Sequence, residues 1–134
     1  MKRLARPTEV DELLARYPAP VQEIAAAARA KLKSVLPDIQ ESADLPARLV
    51  GYGYGPGYKN AVCNLILSQK EVKLGIVYGA SLPDPQKLMT GAGKVHRHVP
   101  LRSPADVSGP DLKALLQAAL EAQRARSAQP KAKR

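Results

Sequence analysis

The sequence predicts an α+β domain, with a mainly antiparallel sheet of about five strands packed against N-terminal and C-terminal helices. Three observations lead there. Apolar residues recur at helical spacing near both ends of the 134-residue chain. Between Asp38 and Leu101 the pattern shortens to strand-like runs broken by glycine and proline. No crossover helix separates those central runs, which disfavours a parallel doubly wound sheet.

The first element is "TEVDELLARY", with Thr8 as a candidate cap and Glu9, Asp11 and Glu12 at the positive end of a short helix. Pro18 and Pro20 stop it, and Pro20 suits the first turn of the next helix. There Val21, Ile24, Ala25, Ala28, Leu32, Val35 and Leu36 form one apolar stripe. "DIQESA" and "ARLVGYGY" read as short strands and "GPGYKN" as a turn, since Gly55, Pro56, Gly57 and Asn60 tolerate unusual backbone angles. "AVCNLILS" and "VKLGIVYG", separated by "QKE", form a hairpin. The connection "ASLPDPQKLMTGAG" has one helical turn around Gln86 to Met89, and "KVHRHVPL" returns to a strand. "SGPDLKALLQAALEAQRA" is an amphipathic helix with Ser108 as cap and Leu112, Leu115, Leu116, Ala119 and Leu120 on one face. The chain divides into a basic extension over 1–7, one domain over 8–123 and a basic tail over 124–134 that is expected to be disordered.

Composition narrows the partners. There is no Phe or Trp, so the core rests on aliphatic residues and five tyrosines, whose hydroxyls each need a partner and favour a rim or pocket. Cys63 is the single cysteine and sits in the apolar run "AVCNLIL", which suits a small buried hydrophobe in a reducing cytoplasm. No run reaches the roughly 20 apolar residues of a membrane helix, and no secretory signal is visible, so no membrane partner is expected. The formal charge of +9 is concentrated at the ends: Lys2, Arg3 and Arg6, then Arg124, Arg126, Lys131, Lys133 and Arg134, with residues 7–123 near neutral. Such ends attract polyanions weakly and in a salt-dependent way, without reading a sequence.

The chemical motifs are incomplete. Gly91-Ala92-Gly93-Lys94 lacks both the first glycine and the hydroxyl of a P-loop, and His96 stands where a dinucleotide fingerprint needs its third glycine. No nucleophile elbow or useful carboxylate pair is present, so the reading leans against an enzyme. What remains is backbone amides at Gly91 and Gly93 beside Lys94 and Arg97, an arrangement that can hold a carboxylate or phosphate. On an extended strand Val95, Arg97 and Val99 share one face while His96 and His98 share the other, so Arg97 and His98 should diverge. His96 and His98 with Asp84 and Asp106 are candidate metal ligands. Tyr52, Tyr54 and Tyr58, with Lys59, are candidates for contacting a planar ligand.

The order "VDELL", "YGYGPGYKNAV", "VKLGIVYGASLPDP", "LMTGAGKVHRHVPL" and "DLKALLQAAL" resembles the YdhG-like domains of unknown function, some of which are labelled frataxin-like intracellular iron chaperones. The likeness covers about residues 8 to 122. It implies an α+β fold with a sheet of about five strands backed by helices, and it marks Gly91, Gly93, Lys94, Arg97 and His98 as signature residues beside Leu82, Pro83, Asp84 and Pro85.

The combined expectation is a small non-catalytic cytoplasmic binding domain with no resident cofactor. Lys94, Arg97 and Lys59 would hold an anionic small ligand, His98 would hydrogen-bond it, and Tyr52 or Tyr54 would contact its flat part. An unidentified protein partner is the other candidate for that role. Two alternatives stand beside it: an iron-handling protein using His96, His98, Asp84 and Asp106, and weak nucleic-acid association through the basic ends.

Overall fold

The computed structural model describes residues 9–57, 59–91 and 95–128. Helix α1 (Glu9–Leu14) carries Glu9, Asp11 and Glu12 in its first turn and buries Val10, Leu13 and Leu14. Thr8, its expected cap, lies outside the described residues. Helix α2 (Ala19–Val35) starts after Pro18, whose φ of −62° and ψ of 155° are already extended, and buries Val21, Ile24, Ala25, Ala28 and Leu32. Its alanines bring the helix backbone close to the sheet, which lets a core without large apolar aromatics close.

Strands β1 (Gln40–Asp44), β2 (Leu49–Gly53), β3 (Ala61–Leu67), β4 (Val72–Ile76) and β5 (Arg97–Leu101) form one five-stranded sheet in the order of the sequence. Every neighbouring pair is antiparallel. One face points at the helices and buries Val50, Tyr52, Cys63, Leu65, Leu67, Val72, Leu74, Ile76, Val99 and Leu101. Helix α1 packs beside β1 and α2 over β4, while α3 (Pro110–Ala128) lies on β3. Each fully buried leucine in this layer is worth about 1.5–3 kcal/mol. Among the described residues no helix is long and apolar enough to cross a membrane.

Three local expectations change. The segment around Gln86 to Met89 makes no helical turn: Lys87 N–H bonds Asp84 O at 3.0 Å, while the Asp84 carboxylate accepts Leu88 N–H and Met89 N–H, each at 2.9 Å. A side-chain acceptor that captures two amides favours this turn over a helix. Ser108 does not cap α3, because its hydroxyl donates to Ala105 O at 3.0 Å within the short 3-10 turn Pro104–Val107. Helix α3 also runs through Ala128, so residues 124–128, expected in a disordered tail, belong to the domain. Arg126 explains this: its guanidinium donates to Ala61 O at 2.7 Å and lies 4.5 Å over the Tyr78 ring.

Candidate functional site

The tyrosines of β2 are committed to the helix side. Strand alternation from Val50 turns Tyr52 into the core, where it is 2% exposed and its hydroxyl donates to Glu41 Oε2 at 2.6 Å. Arg29 closes the same corner with bonds to Glu41 at 2.8 and 2.9 Å and to Asp11 at 3.0 Å, and Lys33 Nζ lies 3.4 Å from Glu41. Burial alone would raise the Glu41 carboxyl, but Arg29, the Tyr52 hydroxyl and Lys33 outweigh it and hold it below the usual carboxylate range. Burial, and then the Glu41 charge, push the Tyr52 hydroxyl far up, so it stays a donor. Tyr54 donates to Pro37 O at 2.8 Å. Tyr52 therefore serves as a structural anchor whose ring is not available to a ligand, and Tyr54, just past β2, is partly buried against the core. Tyr58 lies outside the described residues, and Lys59 is exposed in the β2–β3 turn.

The connection into β5 meets a different surface. Tyr52, Cys63, Ile76 and Arg97 share one register row, which puts Tyr52 and Arg97 three strands apart, or about 14 Å at a strand spacing of about 4.8 Å. Arg97 stays on the row of Ile76, and its Cβ would lie 3.2 Å from a Cβ placed on Gly79. His98 points to the opposite face, where its Cε1 and Nδ1 would lie 3.3 Å from a Cβ on Gly91. Gly91 has a φ of 111°, which favours glycine. Gly93 and Lys94 lie outside the described residues. Arg97 Cδ would lie 4.0 Å from the same Gly91 Cβ, and Arg97 and His98 border one hollow, which among the described residues no tyrosine lines, so the tyrosine strand and this pair do not meet in one pocket.

Of the metal candidates His96 and His98 border one hollow, while Asp84 and Asp106 are held in turns of their own. His96 Nδ1 accepts the Tyr78 N–H at 2.9 Å, with the two rings 5.4 Å apart. Asp84 holds its own turn, and Asp106 Oδ2 accepts Arg102 N–H at 2.8 Å. Among the described residues, no group of three or more His, Cys, Asp or Glu could hold a metal ion. Cys63 is buried, and burial pushes its thiol far above its ordinary value, so it is inert as a nucleophile.

The helix-free face carries the arrangement that sequence reasoning missed. Reading across the sheet, Ser42 pairs with Gly51, Gly51 with Asn64, Asn64 with Gly75 and Gly75 with His98. Polar side chains on β1, β3 and β5 alternate with glycines on β2 and β4, and each glycine leaves a hollow. Over Gly51 and Gly53 the hollow is about 340 Å³, with Ser42, Asn64 and the Gly55-Pro56-Gly57 turn around it. Over Gly75 it is about 180 Å³, bounded by Asn64, Ile66, Val77, His96, Arg97 and His98. Asn64 and Val77 border both. The Asn64 Oδ1 is buried with no hydrogen-bond partner and lies against Gly75, so closely that a Cβ there would collide with it. Among the described residues no Asp or Glu borders either hollow, and Ile66, 37% exposed, supplies apolar surface. The signal in the sequence was a glycine inside each of two otherwise apolar strands, a mark of close backbone approach.

Fold and surface define an α+β domain whose antiparallel sheet is covered by helices on one side and bears an open, glycine-floored polar surface on the other. Compared with protein-family models, with curated proteins and with solved structures, the chain matches none.

Proposed function

We propose that this protein is a small non-catalytic binding domain of the cytoplasm whose ligand lies on the helix-free face of the sheet. One observation carries the reading: the row Ser42, Gly51, Asn64, Gly75, His98 forms two hollows joined at Asn64, and none of its three polar side chains is tied up by a hydrogen bond within the described residues. A rigid sheet is a precise platform for such groups, and glycines under them let a ligand approach the backbone. Acid–base or nucleophilic chemistry gains no support, since the buried carboxylate Glu41 and the buried thiol Cys63 both belong to the helix side. The resemblance to the YdhG-like domains implies a five-stranded sheet backed by helices, the architecture seen here, and the buried lone cysteine agrees with a reducing compartment.

The test is an amide correlation spectrum of the labelled protein against a set of small polar fragments. Binders should move residues 42, 51, 64, 75 and 98 together. A Cβ on Gly51 meets only Ser42 Oγ at 3.5 Å and Ser42 O at 3.9 Å, so Gly51→Leu fills the larger hollow without disturbing the core. Fragments seated over Gly51 should lose their effect in that variant at unchanged melting temperature. A wild-type spectrum in which no fragment perturbs this face would refute the proposal.

A further inference from the structure

The two edges of the sheet differ. Hydrogen bonding alternates along an antiparallel pair, so one bond fixes the direction of the backbone groups along a strand. Leu67 N–H donates to Arg48 O, which turns the even-numbered residues of β2 toward β3 and the odd-numbered ones toward β1. Gln40, Ser42 and Asp44 therefore bond to β2, and the N–H and C=O of Glu41 and Ala43 point away from the sheet. Among the described residues no backbone hydrogen bond takes these outward groups. At the other edge, His98 exchanges both its backbone bonds with Thr90, and Pro100, the next outward residue of β5, has no N–H. The β5 edge is blunted, whereas β1 keeps its donors and acceptors.

We infer that β1 pairs antiparallel with β1 of a second copy of this chain, joining two five-stranded sheets into one across a twofold axis at Ser42. The residues choose the register. Centred on Ser42, Glu41 lies opposite Ala43 of the partner subunit, and both such pairs exchange two bonds, so every outward group is satisfied. Gln40 faces Asp44 of the partner subunit, an amide against a carboxylate, and Ile39 and Leu45, both partly buried against the core, meet at either end. Glu41 opposes a small side chain while its carboxylate stays with Arg29 and Lys33. Centring on Glu41 instead sets two carboxylates opposite each other, and centring on Ala43 sets Glu41 against Leu45, whose carbonyl already accepts Arg48 N–H.

The blunted edge sets the number of copies. Once the two β1 strands have met, only β5 edges remain, where His98 is already bonded and Pro100 lacks a donor, so association stops at two. Ser42 borders the larger hollow, so the pairing sets the two larger hollows on either side of the axis and requires no ligand in either.

Sedimentation equilibrium of the full chain tests this, at about 0.15 M salt, where the formal charge of +9 is screened beyond about 8 Å. A strand of five residues is a small contact beside the roughly 20 residues a side of a standard interface, so the chain should be monomeric at about 10 µM and half dimeric at about 1 mM. Ala43→Pro removes an N–H that the fold itself does not use, and Ser42→Lys sets two like charges at the axis. Each should return the chain to monomer at about 1 mM with the amide spectrum of β2 to β5 retained. Residues paired without hydrogen bonds have Cα atoms about 4.5 Å apart, within disulfide range, so Ser42→Cys should cross-link about tenfold faster than Gln40→Cys, which meets no copy of itself. Cys63 is buried and does not compete. A full chain that stays monomeric at about 1 mM overturns the proposal and makes an extended segment of another protein the occupant that fits this edge. Self-association undiminished in both Ala43→Pro and Ser42→Lys, or equal cross-linking of the two cysteine variants, overturns the pairing at Ser42.

Discussion

Arg29→Met removes the cation that faces Glu41 in the corner where α1, α2 and β1 meet. The Arg29 side chain is 20% exposed and that of Glu41 12%. Breaking a fully buried pair costs about 3–5 kcal/mol and an exposed pair about 0–1 kcal/mol, so this corner, nearly but not fully dry, should lose about 2–4 kcal/mol at pH 7. For a domain of this size that corresponds to a fall in Tm of roughly 10 °C. The cost should depend on pH with a definite sign. Glu41 titrates below the ordinary carboxylate range in the folded protein, so its contribution is present above the unfolded value and disappears as pH falls through the folded one. In the variant Lys33 and the Tyr52 hydroxyl still face the carboxylate, but burial weighs more heavily without Arg29, so the carboxyl rises and protonation relieves part of the cost. The difference between wild type and variant, measured by urea unfolding at both pH values, should therefore shrink markedly from pH 7 to about pH 3. Replacing Glu41 as well should recover much of the loss, because no charge is then stranded. A loss below about 1 kcal/mol at pH 7, or one that does not change with pH, would refute the claim that this corner depends on a neutralised carboxylate.

Other substitutions test other joints. Asp84→Ala strands two amide donors, at Leu88 and Met89, and should cost about 1–2 kcal/mol by urea unfolding while leaving helix content by circular dichroism unchanged. Arg126→Ala should release the last turn of α3, seen as faster amide exchange over residues 122–128 with the sheet still protected. Cys63 should resist a thiol reagent in native buffer and react fully once the chain is unfolded, since burial both shields the sulfur and disfavours its thiolate.

Much of the fold was legible in the sequence because period alone decides it. The stripe from Val21 to Leu36, the leucines of α3 and the alternation in β2 to β5 require no knowledge of neighbours. The candidate site was not legible, because it depends on register: nothing in "LVGYGY" or "VKLGIV" says that Gly51 and Gly75 flank Asn64 in one row. The covered side of the sheet was equally hidden, so Tyr52 and Tyr54 resembled a binding platform until Glu41 and Pro37 were found to take their hydroxyls. The end of α3 was misplaced because residues 124–128 hold only charged and small side chains, and what keeps them helical is distant in sequence: the Ala61 carbonyl and the Tyr78 ring.

The strand order bears on how the chain acquires its structure. Each strand pairs with its neighbour in sequence, so β1 to β4 close through short loops, β5 joins after a connection of twenty residues, and the sheet is complete once residue 101 is available. Pairings of low sequence separation cost little loop entropy and favour rapid formation. Helix α3 arrives last, and it packs on β3, where Leu65 is fully buried in the finished domain. During synthesis from the N-terminus, a nearly complete sheet therefore waits with part of its apolar face bare until the final nineteen-residue helix emerges. That interval is the stage at which a chain truncated before Pro110 would aggregate and the full chain would not.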